Sequence, residues 1–253
     1  MEKSFFEWVI FLLQHYGTFF LQGTITTLVI SIVGTFIGFL IGFLVGIINT
    51  IPVNREQPTG YQLLVKFMKL IVKVYVTVFR GTPMIVQAMV VYYGSSQALD
   101  LNIAPMVAAV FVLSLNTGGY AAEIVRGGII SVENGQIEGA KALGMSHVSM
   151  MVHIVLPQAL QNITPQLCNL FVTNIKDTSV LNVISVTELF FITKSAAGTY
   201  FRFFEAYSIT AMIYLLLTII INKLLQLFER YLAGKSDYVL VSEEELKQRL
   251  GEA

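Results

Sequence analysis

The chain has 253 residues, of which 55% are hydrophobic and only 13% charged, about half the charged share of a soluble domain. Its 16 basic and 16 acidic residues cancel, and no basic run points to nucleic acid. The single cysteine, Cys168, cannot pair within the chain and says nothing of redox compartment.

Charge is absent from residues 8–54, 81–99, 103–122, 142–175 and 206–222. A soluble core could not hide so much uncharged chain, whereas a bilayer needs spans of about 20 apolar residues each. The chain therefore reads as an all-α integral membrane protein. The start, MEKSFFEW, has one Lys flanked by acids and no small-residue cleavage site, so the first span is expected to serve as its own insertion signal. Residues 1–22, with Trp8, His15 and Tyr16, read as an interfacial segment, because aromatic side chains favour the headgroup level.

Five spans follow, at about 24–49, 70–94, 105–125, 157–179 and 207–228. In the first, Gly34, Gly38, Gly42 and Gly46 recur every four residues, and Gly23, Thr27, Ser31 and Thr35 form a neighbouring stripe. Small residues at that spacing let two helix backbones approach closely in lipid. The stripe suits either an interface between subunits or packing within one chain. Short-loop Lys and Arg set the orientation. Arg55, Lys66, Lys69, Lys73, Arg126, Lys141, Lys223, Arg230 and Lys235 collect on one side, against Lys3, Lys194 and Arg202 on the other. The richer side is expected to be cytoplasmic, with the N-terminus outside, the C-terminus inside and the loop 131–156 in the cytosol.

That loop reads as two short helices, the first capped by Asn134 and ended by Gly144, the second capped by Ser146 and turning at Pro157 into the membrane. Helices so short are marginal alone and need a partner surface. Glu188, Lys194, Arg202 and Glu205 read as a solvated outer connector. The tail 231–253 reads as cytoplasmic, with Ser242 and Glu245 placed as a capping box. His147 and His153, six apart, do not share a helix face, so no metal site is read.

The loop carries Glu138, Gly139, Ala140, Gly144, Ile154, Leu156 and Pro157 at the spacing of the signature loop of ATP-binding-cassette importer permeases, with Gly139 in place of an alanine. Phe79-Arg80-Gly81-Thr82-Pro83, the run from Ala122 to Ile129 and Lys176-Asp177-Thr178-Ser179 resemble the polar amino-acid uptake branch of that family. The resemblance implies a type I importer permease fold over 23–230. It implies a subunit with no covalent chemistry of its own and no cofactor in this chain, with ATP and Mg on the partner ATPase. The implied partners are two copies of the ATPase, a second permease subunit, identical or homologous, an extracellular amino-acid-binding protein, the amino-acid substrate and the lipid bilayer, with no nucleic acid. The implied location is the bacterial inner (cytoplasmic) membrane.

In that setting Glu138, Gly139, Ala140, Leu143 and Gly144 are the candidates for coupling to the ATPase. Charge at membrane depth is costly and tends to face a cavity. Arg80, about 10 Å into its span at the helical rise, is a candidate for the substrate carboxylate, helped by Thr82 and Gln87. Pairing with Glu123 or Asp177 is its alternative. Asp177 is a candidate for the ammonium group, or else neutralises its neighbour Lys176. Asn116 suits either the path or an interhelical hydrogen bond. An ion-coupled secondary transporter is the alternative function, but the chain shows no repeated halves.

Overall fold

In the computed structural model, residues 4–53 and 57–233 are described, and every regular element among them is a helix. The capping-box tail expected at 242–249, with Arg55, Lys235 and Lys3, lies outside the described residues. In chain order the helices are α1 (Phe5–Thr50), α2 (Thr59–Gly81), α3 (Met84–Leu99), α4 (Pro105–Ile130), α5 (Asn134–Ala142) and α6 (His147–Met150). A π-helical turn, Met151–Val155, leads into α7 (Leu156–Asp177), then a 3₁₀ segment Thr178–Ile184, α8 (Leu189–Tyr200) and α9 (Phe203–Ala233).

Among the described residues, three helices are long and apolar enough to cross a membrane: Phe5–Thr50, Pro105–Ile130 and Phe203–Tyr231. His147–Ile184 and Leu189–Tyr200, bent by 56° at their junction, pass the same test together as a broken span. Large apolar side chains such as Phe36, Leu44, Val107, Phe111 and Leu215 point outward, which suits lipid, while the backbone polar groups are satisfied inside each helix.

The expected interfacial segment 1–22 is not separate. Ser4 accepts from Glu7 N and Glu7 Oε2 accepts from Ser4 N, a capping box that starts one 46-residue helix, roughly 69 Å long at the helical rise. Its first half stays helical because it has a packing surface: Leu12 and Phe20 are buried against Leu189, Ala196, Ala197, Ala206 and Ile209. Tyr200 sets its ring edge-on to Phe11, 5.2 Å away. Ile51 and Pro52 end the helix.

The glycine stripe is used within the chain. Gly34, Gly38, Gly42 and Gly46 lie against Leu113, Thr117, Ala121 and Val125 of α4, and because both series ascend together the two helices run parallel. A methyl added at Gly38 would sit 2.6 Å from Thr117 Cβ, and one at Gly46 2.7 Å from Val125 Cβ. The second stripe meets other elements: Thr27 Oγ1 accepts from Leu189 N at 3.3 Å, and Thr35 Oγ1 accepts from Asn174 at 2.7 Å.

The span expected at 70–94 is two helices. α2 stops at Gly81, Thr82 is extended, and Pro83 opens α3, as a residue that lacks an N–H and restricts its predecessor would require. The end of the bundle that carries Lys69, Arg126 and Lys141 is called the basic end below. α2 begins there, and α3 continues to the other end, where Asp100 closes it at φ 53°.

Candidate functional site

The break between α2 and α3 frees backbone carbonyls, and two side chains take them up. Gln87 Nε2 donates toward Phe79 O, Thr82 O and Thr82 Oγ1, each at 2.9 Å. Asn116, from α4, donates to Phe79 O at 3.2 Å and to Gln87 Oε1 at 3.1 Å. Thr82 Oγ1 itself donates to Val78 O at 2.8 Å. Gln87 and Asn116 are both buried. Thr82, Gln87 and Asn116 therefore form one network that holds a broken helix open, since a buried carbonyl left unpaired is costly.

Arg80 sits within this break, between Phe79 and Thr82, and its side chain reaches beside α4. Its Nη1 lies 3.7 Å from Glu123 Oε2, and its guanidinium stands over the Tyr120 ring at 5.5 Å. Glu123 is shared: Arg126 donates to the same oxygen through Nε at 3.3 Å and Nη2 at 2.9 Å. Arg80 thus pairs with Glu123 and not with Asp177, while 43% of its side chain stays exposed. Arg80, Glu123 and Arg126 wall a cavity of about 440 Å³ together with Asn49, Lys69, Lys73, Val76 and Thr77. A second cavity of about 790 Å³ lies toward the basic end and shares Asn49 and Arg126 with the first.

Lys176 and Asp177 are exposed at the far end of α7 and do not line either cavity. No ion pair joins them among the described residues. Their buried neighbour Asn174, which sequence reasoning passed over, bonds to Thr35 at 2.7 Å and to Thr117 at 2.9 Å, tying α1, α4 and α7 together. Its one signal was a polar side chain inside the charge-free run 142–175. Glu188 is a correction. Expected in a solvated connector, it is fully buried, caps α8 by accepting from Phe190 N at 2.8 Å and Phe191 N at 2.7 Å, and accepts from the Tyr214 hydroxyl at 3.2 Å. Lys194 is exposed, and Arg202 stacks on the Trp8 ring at 4.7 Å.

The loop at the basic end folds as two helices, with changes at their ends. Asn134 is the first residue of α5, not its cap; Glu133 holds the cap position and makes no side-chain bond there. Gly144, at φ 72°, ends α5 in the left-handed region. Ser146 caps α6, its Oγ accepting from Ser149 N at 3.2 Å. No turn occurs at Pro157: α6 passes through the π-helical turn into α7, and Pro157 sits in the first turn of α7, where its missing N–H is tolerated. Among the five coupling candidates, Glu138, Gly139, Leu143 and Gly144 are exposed, Leu143 at 82%. Ala140, at 2%, faces inward and packs with Val132, Met150, Val155, Ala159 and Ile163. It seats the helix on the bundle, at the floor of a surface groove lined by Gly135, Gln136, Gly139 and Leu143. Val148, not singled out beforehand, is 70% exposed beside this surface.

Residues 59–234 match the family described as binding-protein-dependent transport system inner membrane component. The chain is 39% identical to the glutamine transport system permease protein of Escherichia coli over 158 residues, which is 62% of this chain and 72% of that one. It is 37% identical, over the same shares, to the arginine transport system permease protein of Bacillus subtilis. Among solved structures, an amino acid ABC transporter crystallised with histidines superposes with a TM-score of 0.78 at 34% identity, covering 91% of this chain and all of that one. The MetNI methionine ABC transporter superposes at 0.69 with 18% identity, over 86% of this chain and 97% of that one, a likeness of fold.

Proposed function

The chain belongs to the binding-protein-dependent transport system inner membrane component family, and from that premise we propose that it is the permease subunit of an ATP-driven importer of polar amino acids. The relatives named for glutamine and arginine transport, and the amino acid transporter it superposes on, support the amino-acid reading over an ion-coupled carrier. The chain is a membrane protein working within a transporter complex. In this reading it lies in the bacterial cytoplasmic membrane, paired with a second permease subunit and two ATPase subunits. An extracellular binding protein delivers the substrate. ATP and Mg are held by the ATPase, and this chain carries out no covalent step.

The observation that carries the proposal is the two-helix element at the basic end. It is anchored by Ala140 and turns Glu138, Gly139, Leu143 and Val148 outward, which a docking partner explains and a self-sufficient carrier does not. ATP binding closes the ATPase dimer, the element moves as a lever, and the helices exchange inward-facing and outward-facing states. The energy enters as the ATPase's differential affinity for the two states. Arg80 meets the substrate carboxylate at the break, where Thr82, Gln87 and Asn116 take up the freed carbonyls and keep the helix broken. Asp177 with Lys176 is the candidate contact nearer the outer side.

Proteoliposomes containing the assembled transporter test this. Uptake should require ATP and the delivery protein and persist after ion gradients are collapsed. Arg80→Ala should abolish uptake while the complex still purifies intact. Uptake driven by an ion gradient without ATP would overturn the function, and normal uptake by Arg80→Ala would overturn the role of Arg80.

A further inference from the structure

The walls of the two joined cavities have a lopsided charge. Lys69 and Lys73 on α2 and Arg80 at its end contribute three cations, and Arg126 on α4 a fourth. Lys141 on α5 adds a fifth in the cavity nearer the basic end. Among the described residues lining the two cavities there is one carboxylate, Glu123, and both arginines already engage it, at 3.7 Å and 2.9 Å. No described carboxylate pairs with Lys69 or Lys73.

Distance decides whether this charge is felt. A space of about 440 Å³ has an equivalent radius of roughly 5 Å, shorter than the Debye length of about 8 Å at physiological ionic strength. A small molecule in this open cleft therefore comes within a Debye length of the charged side chains that line it. Low-dielectric walls carrying one sign of charge also concentrate ions of the opposite sign. A guanidinium or ammonium side chain entering here meets a net excess of three positive charges around the first cavity, with its only carboxylate occupied. A carboxylate or carboxamide side chain meets unpaired donors.

From this we infer that the permease sorts its cargo by side-chain charge, admitting acidic and neutral polar amino acids and excluding cationic ones, with Lys69 and Lys73 as the specificity-determining residues. The inference rests on the import function proposed above and names the substrate class of the same site. It separates this chain from its arginine-transporting relative. Asp177 does not offset the filter, because it lies at the far end of α7, outside both cavities.

The test uses the purified permease–ATPase complex with labelled glutamate, glutamine and arginine as probes, measured by equilibrium binding at low salt. Glutamate and glutamine should bind, and arginine at least tenfold more weakly. In the double variant Lys69→Glu/Lys73→Glu that ratio should shift toward arginine by tenfold or more. The milder Lys69→Gln/Lys73→Gln, which removes the charge but keeps a polar side chain, should shift it in the same direction by a smaller factor. Arginine binding as tightly as glutamine, or a ratio unmoved in both variants, would overturn the inference. Parallel ATP-dependent uptake separates the two levels: arginine uptake equal to glutamine uptake overturns the charge filter and leaves the import function standing. Uptake of none of the twenty amino acids overturns both.

Discussion

Gly139 and Ala140 are neighbours in α5 with opposite surroundings. A methyl group at Gly139 would meet nothing within 4 Å, whereas Ala140 is enclosed by Met150, Val155 and Ile163. Gly139→Ala should therefore stabilise the helix by up to about 1 kcal/mol and leave uptake unchanged or raised. Ala140→Leu overfills a packed site and should cost about 1–3 kcal/mol. Thermal melting in detergent and an uptake assay on the two variants check both outcomes, and a loss of uptake in Gly139→Ala would show that the position needs glycine for a partner's close approach. The same contrast shows what single residues reveal in advance. A spacing pattern identified both positions as coupling candidates but not which one faces out, because nine residues of α5 contain too few apolar side chains to mark a face. Glu188 was misplaced for a related reason: a lone carboxylate near Lys194 and Arg202 reads as solvated until the N-terminus of α8 is seen to need its two acceptor oxygens.

Elements were legible where periodicity or proline dictated them. The four-residue glycine repeat predicted close helix contact, and α4 supplies it in register. Its partner was not legible, since Leu113, Thr117, Ala121 and Val125 form no distinctive string. Proline and glycine at 81–83 signalled weakness in the second span, yet a full break also required Gln87 and Asn116 to take the freed carbonyls, and Asn116 lies on another helix, α4. The continuity of α1 was hidden because its first half is stabilised by α8 and α9, far away in sequence. The register yields a direct prediction. Gly38→Leu places a side chain where Thr117 already stands and should give no monodisperse protein, and Gly38→Ala should lower the melting temperature by several degrees. Gly17→Leu is the control on the same helix, because Gly17 has nothing within 4 Å. Equal melting of all three variants would show that α1 and α4 do not pack through this stripe.

Across the whole molecule, a charged cavity beside a broken helix and a two-helix element at the basic end are joined through α4 and α7. Arg126 lines both cavities, and Val125 and Ile129 pack in the cluster that holds Ala140. Motion of the element must therefore be felt at the cavity wall, since packed cores transmit displacement and do not absorb it. That linkage predicts separable defects. Leu143 and Val148 expose most of their side chains, so Leu143→Glu/Val148→Glu removes no internal packing and should leave the melting temperature of the isolated permease unchanged. The ATPase surface opposite should lose apolar contact and gain two buried charges. Its affinity should fall tenfold or more, about 1.4 kcal/mol per decade, with uptake lost in proportion. Binding of glutamine beside Arg80, by contrast, should survive, because Leu143 lines neither cavity and Val148 lines only the one nearer the basic end. Co-purification with the ATPase, a thermal melt and equilibrium binding on one preparation measure all three. Retained ATPase affinity would move the docking surface elsewhere. Loss of glutamine binding with a normal melt would show instead that this element shapes the cavity directly.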